Sequence, residues 1–172
     1  RGTPSPEATY SLEAGSFDTL RQSASLSGSF ESFDFSNTFS RLDTDNLDKN
    51  DDFRNAAYFG NFGFAPGDDH TLRLTVSRTS GRAGTPGPTA EGFTSFDPTG
   101  SMERFEQTVG LAYNVMIGPR WSQHASYRFH DLDQTLFGSF GPFPVASRRH
   151  RVEYRGDVLV GYEGTLSYGM DF

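Results

Sequence analysis

The C-terminal stretch RVEYRGDVLVGYEGTLSYGMDF, residues 151–172, decides the fold class. Apolar and polar residues alternate along it up to Val160, and the alternation resumes at Gly164. A period of two indicates extended strands, each with one apolar and one polar face. If Val160 pairs with Gly164 around a three-residue turn, the apolar residues of both strands fall on one face of a hairpin.

The apolar face of this hairpin is long enough to cross a bilayer. It runs for about nine residues per strand, which is the length that a tilted transmembrane strand needs. Aromatic residues lie near its ends, as they do in the aromatic girdles of outer-membrane barrels. The opposite face carries many charged residues, so it fits a water-filled or plugged lumen and not a packed protein core.

The composition agrees with a barrel and excludes several classes of function. Hydrophobic residues make up 34% of the chain and the mean hydropathy is −0.56, which barrels tolerate because only alternate strand residues face lipid. The absence of Cys excludes disulfides and thiol chemistry. The net charge of −7, without a basic stripe, argues against a nucleic-acid partner.

The same alternation recurs along the chain and predicts nine antiparallel strands in a meander. The seven strands before the hairpin are predicted at residues 8–15, 19–27, 33–42, 53–65, 71–81, 105–115 and 121–132. After a short first link, short turns alternate with long loops at residues 43–52, 82–101 and 133–146. Outer-membrane barrels show this alternation of short periplasmic turns and long extracellular loops.

One cross-strand register can also be predicted. Gln22 and Asn37 interrupt the apolar faces of the second and third strands. A two-residue turn at Ser29 and Phe30 places these two amides directly opposite each other. They could then hydrogen-bond across the strands, which lowers the cost of exposing them to lipid.

Several stretches together resemble the TonB-dependent outer-membrane receptors. The opening RGTP (1–4), followed by SLEAGSF (11–17), is similar to the junction between their plug domain and first barrel strand. The run from DDF (51–53) to APG (65–67), with TLRL (71–74), resembles their strands four and five. An acidic first long loop and a Pro/Gly-rich second one are similar to the cobalamin-receptor branch.

The resemblance implies a plug and a barrel of about 22 strands, whereas this sequence predicts nine strands and no plug. The expectation is therefore an open part of a barrel in the bacterial outer membrane. Residues 1–7 are then a plug-to-barrel junction remnant, and residues 8–172 a partial transmembrane barrel with unpaired first and last strands. The implied partners are outer-membrane lipid, the plug and remaining strands of the parent chain, TonB acting through the plug, and a small-molecule ligand. The implied function is energy-coupled import of a scarce ligand, cobalamin or a ferric siderophore.

The first long loop is the sharpest candidate site, because Ca²⁺ takes about six to eight oxygen ligands. It contains the five aspartates Asp43, Asp45, Asp48, Asp51 and Asp52. The spacing is not that of an EF-hand, since Arg54 stands where a bidentate Glu is needed. The resemblance implies Ca²⁺ ligation by Asp45, Asp48, Asp51, Asp43 and, from the next loop, Asp97. The alternative is a solvated acidic loop without a metal.

Catalysis is not expected. His124 and His130 share the polar face of strand seven but lie about 20 Å apart, so they cannot bind one ion together. Ser122 and Ser126 lie beside them without a placed acidic partner, and a nucleophilic Ser needs that geometry.

Two other functions stay open on the sequence alone. A complete small outer-membrane barrel would act as a passive porin or structural protein, and Tyr168 and Phe172 near the end resemble a barrel-assembly signal. A soluble β binding module would need a second sheet over its apolar face.

Overall fold

In a computed structural model, the chain forms one antiparallel sheet in which each strand pairs with the next along the chain. The structure describes residues 2–86, 99–138, 140–161 and 164–172. The strands are β1 (Glu7–Gly15), β2 (Thr19–Phe30), β3 (Phe33–Thr44), β4 (Phe53–Gly67), β5 (His70–Gly84), β6 (Ser101–Ile117), β7 (Trp121–Gly138), β8 (Gly141–Val160) and β9 (Gly164–Asp171). The prediction of an all-β meander of nine strands is confirmed. No helix in this described part is long and apolar enough to cross a membrane.

The C-terminal hairpin has the predicted register. Val160 pairs with Gly164, and Val158 and Leu166 face each other on the apolar side. Gly161, at the start of the turn, has a φ of +67°, which glycine adopts at no steric cost. At the edges of the sheet, no pairing within the described ranges joins β1 to β9, which agrees with the expected open sheet.

The register gives the sheet one apolar and one polar face. Leu111, Tyr127 and Val152 lie side by side across β6, β7 and β8, and they are 43%, 40% and 44% exposed. Over the described ranges no hydrophobic side chain is buried, because a single-layer sheet has nothing packed against its apolar face. The chain therefore has no internal hydrophobic core in this part.

The apolar face ends partway along the strands, and the strands continue beyond it. Near the short turns, β6 presents an apolar row from Val109 to Ile117, and towards its other end it presents Gln107 and Glu103 on the same side. The prediction of a loop at residues 133–146 is wrong, because β7 and β8 extend into this range and Gly138 pairs with Gly141. Backbone hydrogen bonds hold these extensions as strands although their outward residues are polar. The loops predicted at 43–52 and 82–101 are shortened in the same way by β3, β5 and β6.

The predicted register of β2 and β3 is also wrong. The turn lies at Glu31 and Ser32, so Phe30 pairs with Phe33, and Asn37 faces Leu26 instead of Gln22. A shift by an even number of residues leaves every side chain on its predicted face. The Tyr58 hydroxyl on β4 donates to Asn37 Oδ1 at 2.7 Å, so a neighbouring strand supplies the partner that Asn37 needs.

Gly60 provides the room for this hydrogen bond, and its replacement tests the arrangement. Gly60 is the β4 partner of Asn37, and a Cβ there would lie 2.6 Å from the Tyr58 hydroxyl oxygen. We expect Gly60→Ala to displace Tyr58 and to lower the free energy of unfolding by about 1–3 kcal/mol, because Asn37 loses its partner. Gly67→Ala is the control, since a Cβ there meets no atom within 4 Å. Urea titration of the purified protein measures both, and equal changes would contradict the arrangement.

Candidate functional site

Strands β7 and β8 bring four basic side chains together on the polar face. Arg128 lies directly opposite Arg151, and His130 lies directly opposite Arg149. Together with Thr108 of β6, these residues line a cavity of about 410 Å³. Because β6, β7 and β8 are continuous paired strands, this constellation stands on a rigid part of the sheet.

The charges of this basic cluster are only partly compensated. Arg151 forms ion pairs with Asp171 and, at 3.9 Å, with Glu153. His130 shares a hydrogen bond of 3.0 Å with the Thr108 hydroxyl, which holds its ring in place. Among the ion pairs of the described chain, none involves Arg128 or Arg149. Two exposed guanidinium groups are thus available to bind carboxylate or phosphate groups in a bidentate manner.

The polar face leaves space beside this cluster. The β6 partner of Arg128 is Gly110, which has no side chain to fill the surface. A second cavity, of about 220 Å³, shares Arg128 and Arg151 with the first and extends to Arg73 and Thr75 on β5. The cavity surface therefore continues across four strands and has room for a small molecule. Its second part also contains Glu153, and Arg73 is already paired with Asp34, so the uncompensated positive charge is that of the basic cluster.

The segment before β1 crosses the polar face of β2 and β3. The Gly2 N–H donates to Asp34 Oδ1 at 3.2 Å, and the Ser29 hydroxyl donates to the Thr3 carbonyl oxygen at 3.0 Å. Asp34 is also bound by Arg73, with an Nη2–Oδ2 distance of 2.9 Å. A Cβ at Gly2 would collide with the carbonyl oxygens of Gly28 and Phe35, so only glycine fits this close crossing.

The two histidines that share the polar face of β7 have separate hydrogen-bond partners. The imidazole of His124 hydrogen-bonds Asn114 Oδ1 at 2.6 Å, whereas His130 contacts Thr108. They lie six residues apart on one strand, and neither joins the other in a shared metal site.

The predicted calcium ligands do not converge as the structure places them. Asp43 belongs to the end of β3, and its carboxylate pairs with Arg41 at 2.6 Å. Asp45 and Asp48 are exposed, and Asp51 is half-buried, while Asp97 lies outside the described residues. In the described ranges no three Asp, Glu or His side chains approach closely enough to hold a metal ion. This arrangement does not fit a calcium site, and calcium binding stays a prediction from the sequence.

Calorimetric titration of the full-length gene product with Ca²⁺ decides that prediction. If the acidic loop binds Ca²⁺, its dissociation constant should fall at about 10⁻⁴–10⁻³ M, the range of exposed extracellular-type sites. Asp45→Ala and Asp51→Ala should then weaken binding. Heat that is unchanged in both variants would leave the loop as solvated negative charge.

The basic cluster is not recognisable as a site from the sequence alone. The run Arg148-Arg149-His150-Arg151 was visible, and alternation alone puts Arg149 and Arg151 on one face. The sequence does not show that Arg128 and His130 of β7 lie opposite them. That pairing depends on the register of the β7–β8 hairpin, whose turn the sequence predicts as a long loop.

The comparisons with known proteins support the fold. No protein-family model and no curated protein matches the sequence. Among solved structures, the chain is similar to the ferric citrate transporter FecA in its unliganded form, with a TM-score of 0.71 and 13% sequence identity. The match covers 95% of this chain and 27% of the transporter chain. The nine-stranded sheet therefore has the fold of part of a transporter barrel, and the match does not single out the cobalamin-receptor branch.

Proposed function

We propose that this chain forms part of the wall of a TonB-dependent transporter in the bacterial outer membrane, and that it lines the path of an anionic ligand. The observation that carries the proposal is the exposed apolar face of a sheet with no buried hydrophobic residue in its described part. In water such a face favours aggregation. In a bilayer it contacts lipid, while the polar face lines an aqueous or plugged lumen.

The ends of the apolar face support this placement. Near the short turns, the Trp121 indole N–H donates to the Tyr168 hydroxyl at 2.9 Å. Near the opposite end, the Tyr127 hydroxyl hydrogen-bonds the His150 ring at 2.8 Å. Aromatic rings with a polar group suit the two membrane interfaces, where one end of the side chain is in lipid and the other in water. The short turns then face the periplasm, and the charged strand extensions face the exterior.

The lumen side suggests the kind of ligand. Arg128 and Arg149 lack a carboxylate partner in the described chain and lie where the outward residues change from apolar to charged. A ferric siderophore or another chelate with carboxylate groups would compensate both guanidinium charges. Because the two uncompensated guanidinium groups favour a ligand that carries negative charge, we propose an anionic chelate and not cobalamin as the ligand.

The plug and TonB belong to the same proposal. The segment before β1 already runs along the polar face through Gly2 and Thr3. A plug preceding it in the parent chain would enter the lumen from this side and contact TonB in the periplasm. Residues 1–7 are then the junction between plug and barrel.

Uptake by intact cells tests the proposed function. Cells that carry the gene should accumulate a ⁵⁵Fe-labelled carboxylate chelate when energised, and cells that lack it should not. Uptake should stop when TonB is removed or the proton gradient is collapsed. Accumulation that needs neither would favour the alternative, a small barrel that acts as a passive porin.

A further inference from the structure

The apolar residues form a band across one face of the sheet, which we call the apolar band, and this face is the outward side. Beyond the apolar band, towards the long loops, the outward side of β3, β4 and β5 is strongly basic. It carries four arginines, Arg41, Arg54, Arg78 and Arg82. Only one carboxylate lies on this side of the three strands, Asp43, and it is bound to Arg41 at 2.6 Å. We call these four arginines the outer arginine group.

Two members of the outer arginine group face each other, and the other strand neighbour of each is a carboxylate, Asp43 for Arg54 and Glu103 for Arg82. Arg54 and Arg82 are direct cross-strand partners, and like charges in this position destabilise a sheet. Within the described residues neither takes part in an ion pair, although Glu103 is the β6 partner of Arg82. The Arg78 guanidinium lies 4.9 Å from the ring centre of Phe105 and therefore borders the same surface. An external anion would relieve the repulsion between Arg54 and Arg82.

The surface between these arginines is a groove with room for a headgroup. Its volume is about 480 Å³, and its base is formed by small residues such as Ala56, Ser80 and Gly81. One part is lined by three arginines and one carboxylate, Arg41, Arg54, Arg82 and Asp43, and the far side, next to β6 and β7, by Glu103, Arg104 and Asp133. The groove thus has a basic part and an acidic part, and an anion would bind at the basic part.

The position of the groove along the strands, beyond the apolar band, indicates which anion it binds. Arg78 is the cross-strand partner of Tyr58, at the edge of the apolar band. Arg54 and Arg82 lie four residues further along the same strands, about 13 Å away along the strand direction. In a membrane this is the level of lipid headgroups, and guanidinium groups bind phosphate oxygens in a bidentate manner. We infer that the groove binds the phosphate of an anionic outer-leaflet lipid, through Arg54 and Arg82. This inference rests on the proposed insertion of the sheet in the outer membrane, but not on the identity of the transported ligand.

Native mass spectrometry of the full-length gene product in detergent tests this inference. The protein is titrated separately with phosphatidylglycerol, phosphatidylcholine and inorganic phosphate. We expect a preference for phosphatidylglycerol, and about a 10- to 30-fold loss of its affinity in the double variant Arg54→Gln/Arg82→Gln, because each basic residue near an anionic surface contributes to lipid binding.

Arg148→Gln is the matched control. Arg148 also lies on the outward side beyond the apolar band, but its Nε donates to Asp131 at 3.1 Å. This contact is an ion pair, so the charge of Arg148 is already compensated. Its replacement should leave the affinity for phosphatidylglycerol unchanged.

Three results would overturn the inference. These are equal affinities in the double variant and the control, no preference for phosphatidylglycerol, or inorganic phosphate that binds as tightly as the lipid. If the double variant still transports the ferric chelate while lipid affinity is unchanged, only this inference fails. If the protein does not insert into the membrane, the proposed function fails and the lipid site with it.

Discussion

Replacing Arg128 and Arg149 together by Gln should weaken binding of an anionic ferric chelate by about 100-fold or more. Hydrogen bonds to charged groups each contribute about 1.5–3 kcal/mol, and the double variant removes two unpaired guanidinium groups from one cavity. Binding of ⁵⁵Fe-labelled chelate to outer-membrane preparations measures the loss. Uptake by cells should fall in parallel.

Arg155→Gln is the control for this experiment. Arg155 lies on the same polar face of β8, but it is paired with Asp157 at 3.0 Å and lies nearer the short turns. Its replacement should change chelate binding little. Equal losses in Arg155→Gln and in the double variant would show a general effect of lumen charge, and unchanged binding in both would remove the basic cluster from the ligand path.

Leu111→Arg should lower the free energy of unfolding from membranes by about 1–3 kcal/mol, because the cost of a lipid-facing Arg falls from about 2–4 kcal/mol at the bilayer midplane to about 0–1 near the interfaces. Leu111 is the second outward residue of the apolar row of β6, between its partners Leu74 and Tyr127, so it lies inside the row but not at its centre. The matched variant Ser126→Arg places the same side chain on the polar face. Ser126 is next to Tyr127 in β7 and lies opposite Glu153 of β8. It should cost much less, because the guanidinium remains in water and near a carboxylate.

Denaturant titration in lipid vesicles measures both variants. The yield of each in the outer membrane gives a second readout, since a barrel destabilised to this degree should assemble poorly. Equal destabilisation by Leu111→Arg and Ser126→Arg would mean that both faces are in the same environment. This result would contradict the assignment of the apolar face to lipid.

The fold could be predicted because alternation with a period of two fixes both the extended conformation and the face of each residue. The hairpin of β8 and β9 shows this, since Val160 and Gly164 pair as the apolar pattern required. The pattern weakens where both faces become polar. At residues 133–146 it therefore predicted a loop, although backbone hydrogen bonding continues the strands there.

Registers and sites were less accessible to the sequence. The sequence pattern predicts Gln22 as a polar interruption that pairs with Asn37, but the structure places Gln22 beyond the apolar band, opposite Arg41, where a polar residue costs little. The basic cluster depends on the same kind of information. Arg128 and Arg149 are 21 positions apart in the sequence, and only the pairing of β7 with β8 shows that they line one cavity.

Thiol accessibility tests the central claim, that lipid covers the apolar face and water the polar face. The 172 residues contain no Cys. A single Cys introduced among them is therefore the only thiol of this part of the protein that a maleimide can label. Suitable positions are Leu111 and Tyr127 on the apolar face and Ala112 and Ser126 beside them on the polar face. In outer-membrane vesicles, a small charged maleimide should label Ala112→Cys and Ser126→Cys, and it should leave Leu111→Cys and Tyr127→Cys unlabelled until detergent is added. Equal labelling of neighbouring positions on the two faces before detergent would contradict the account.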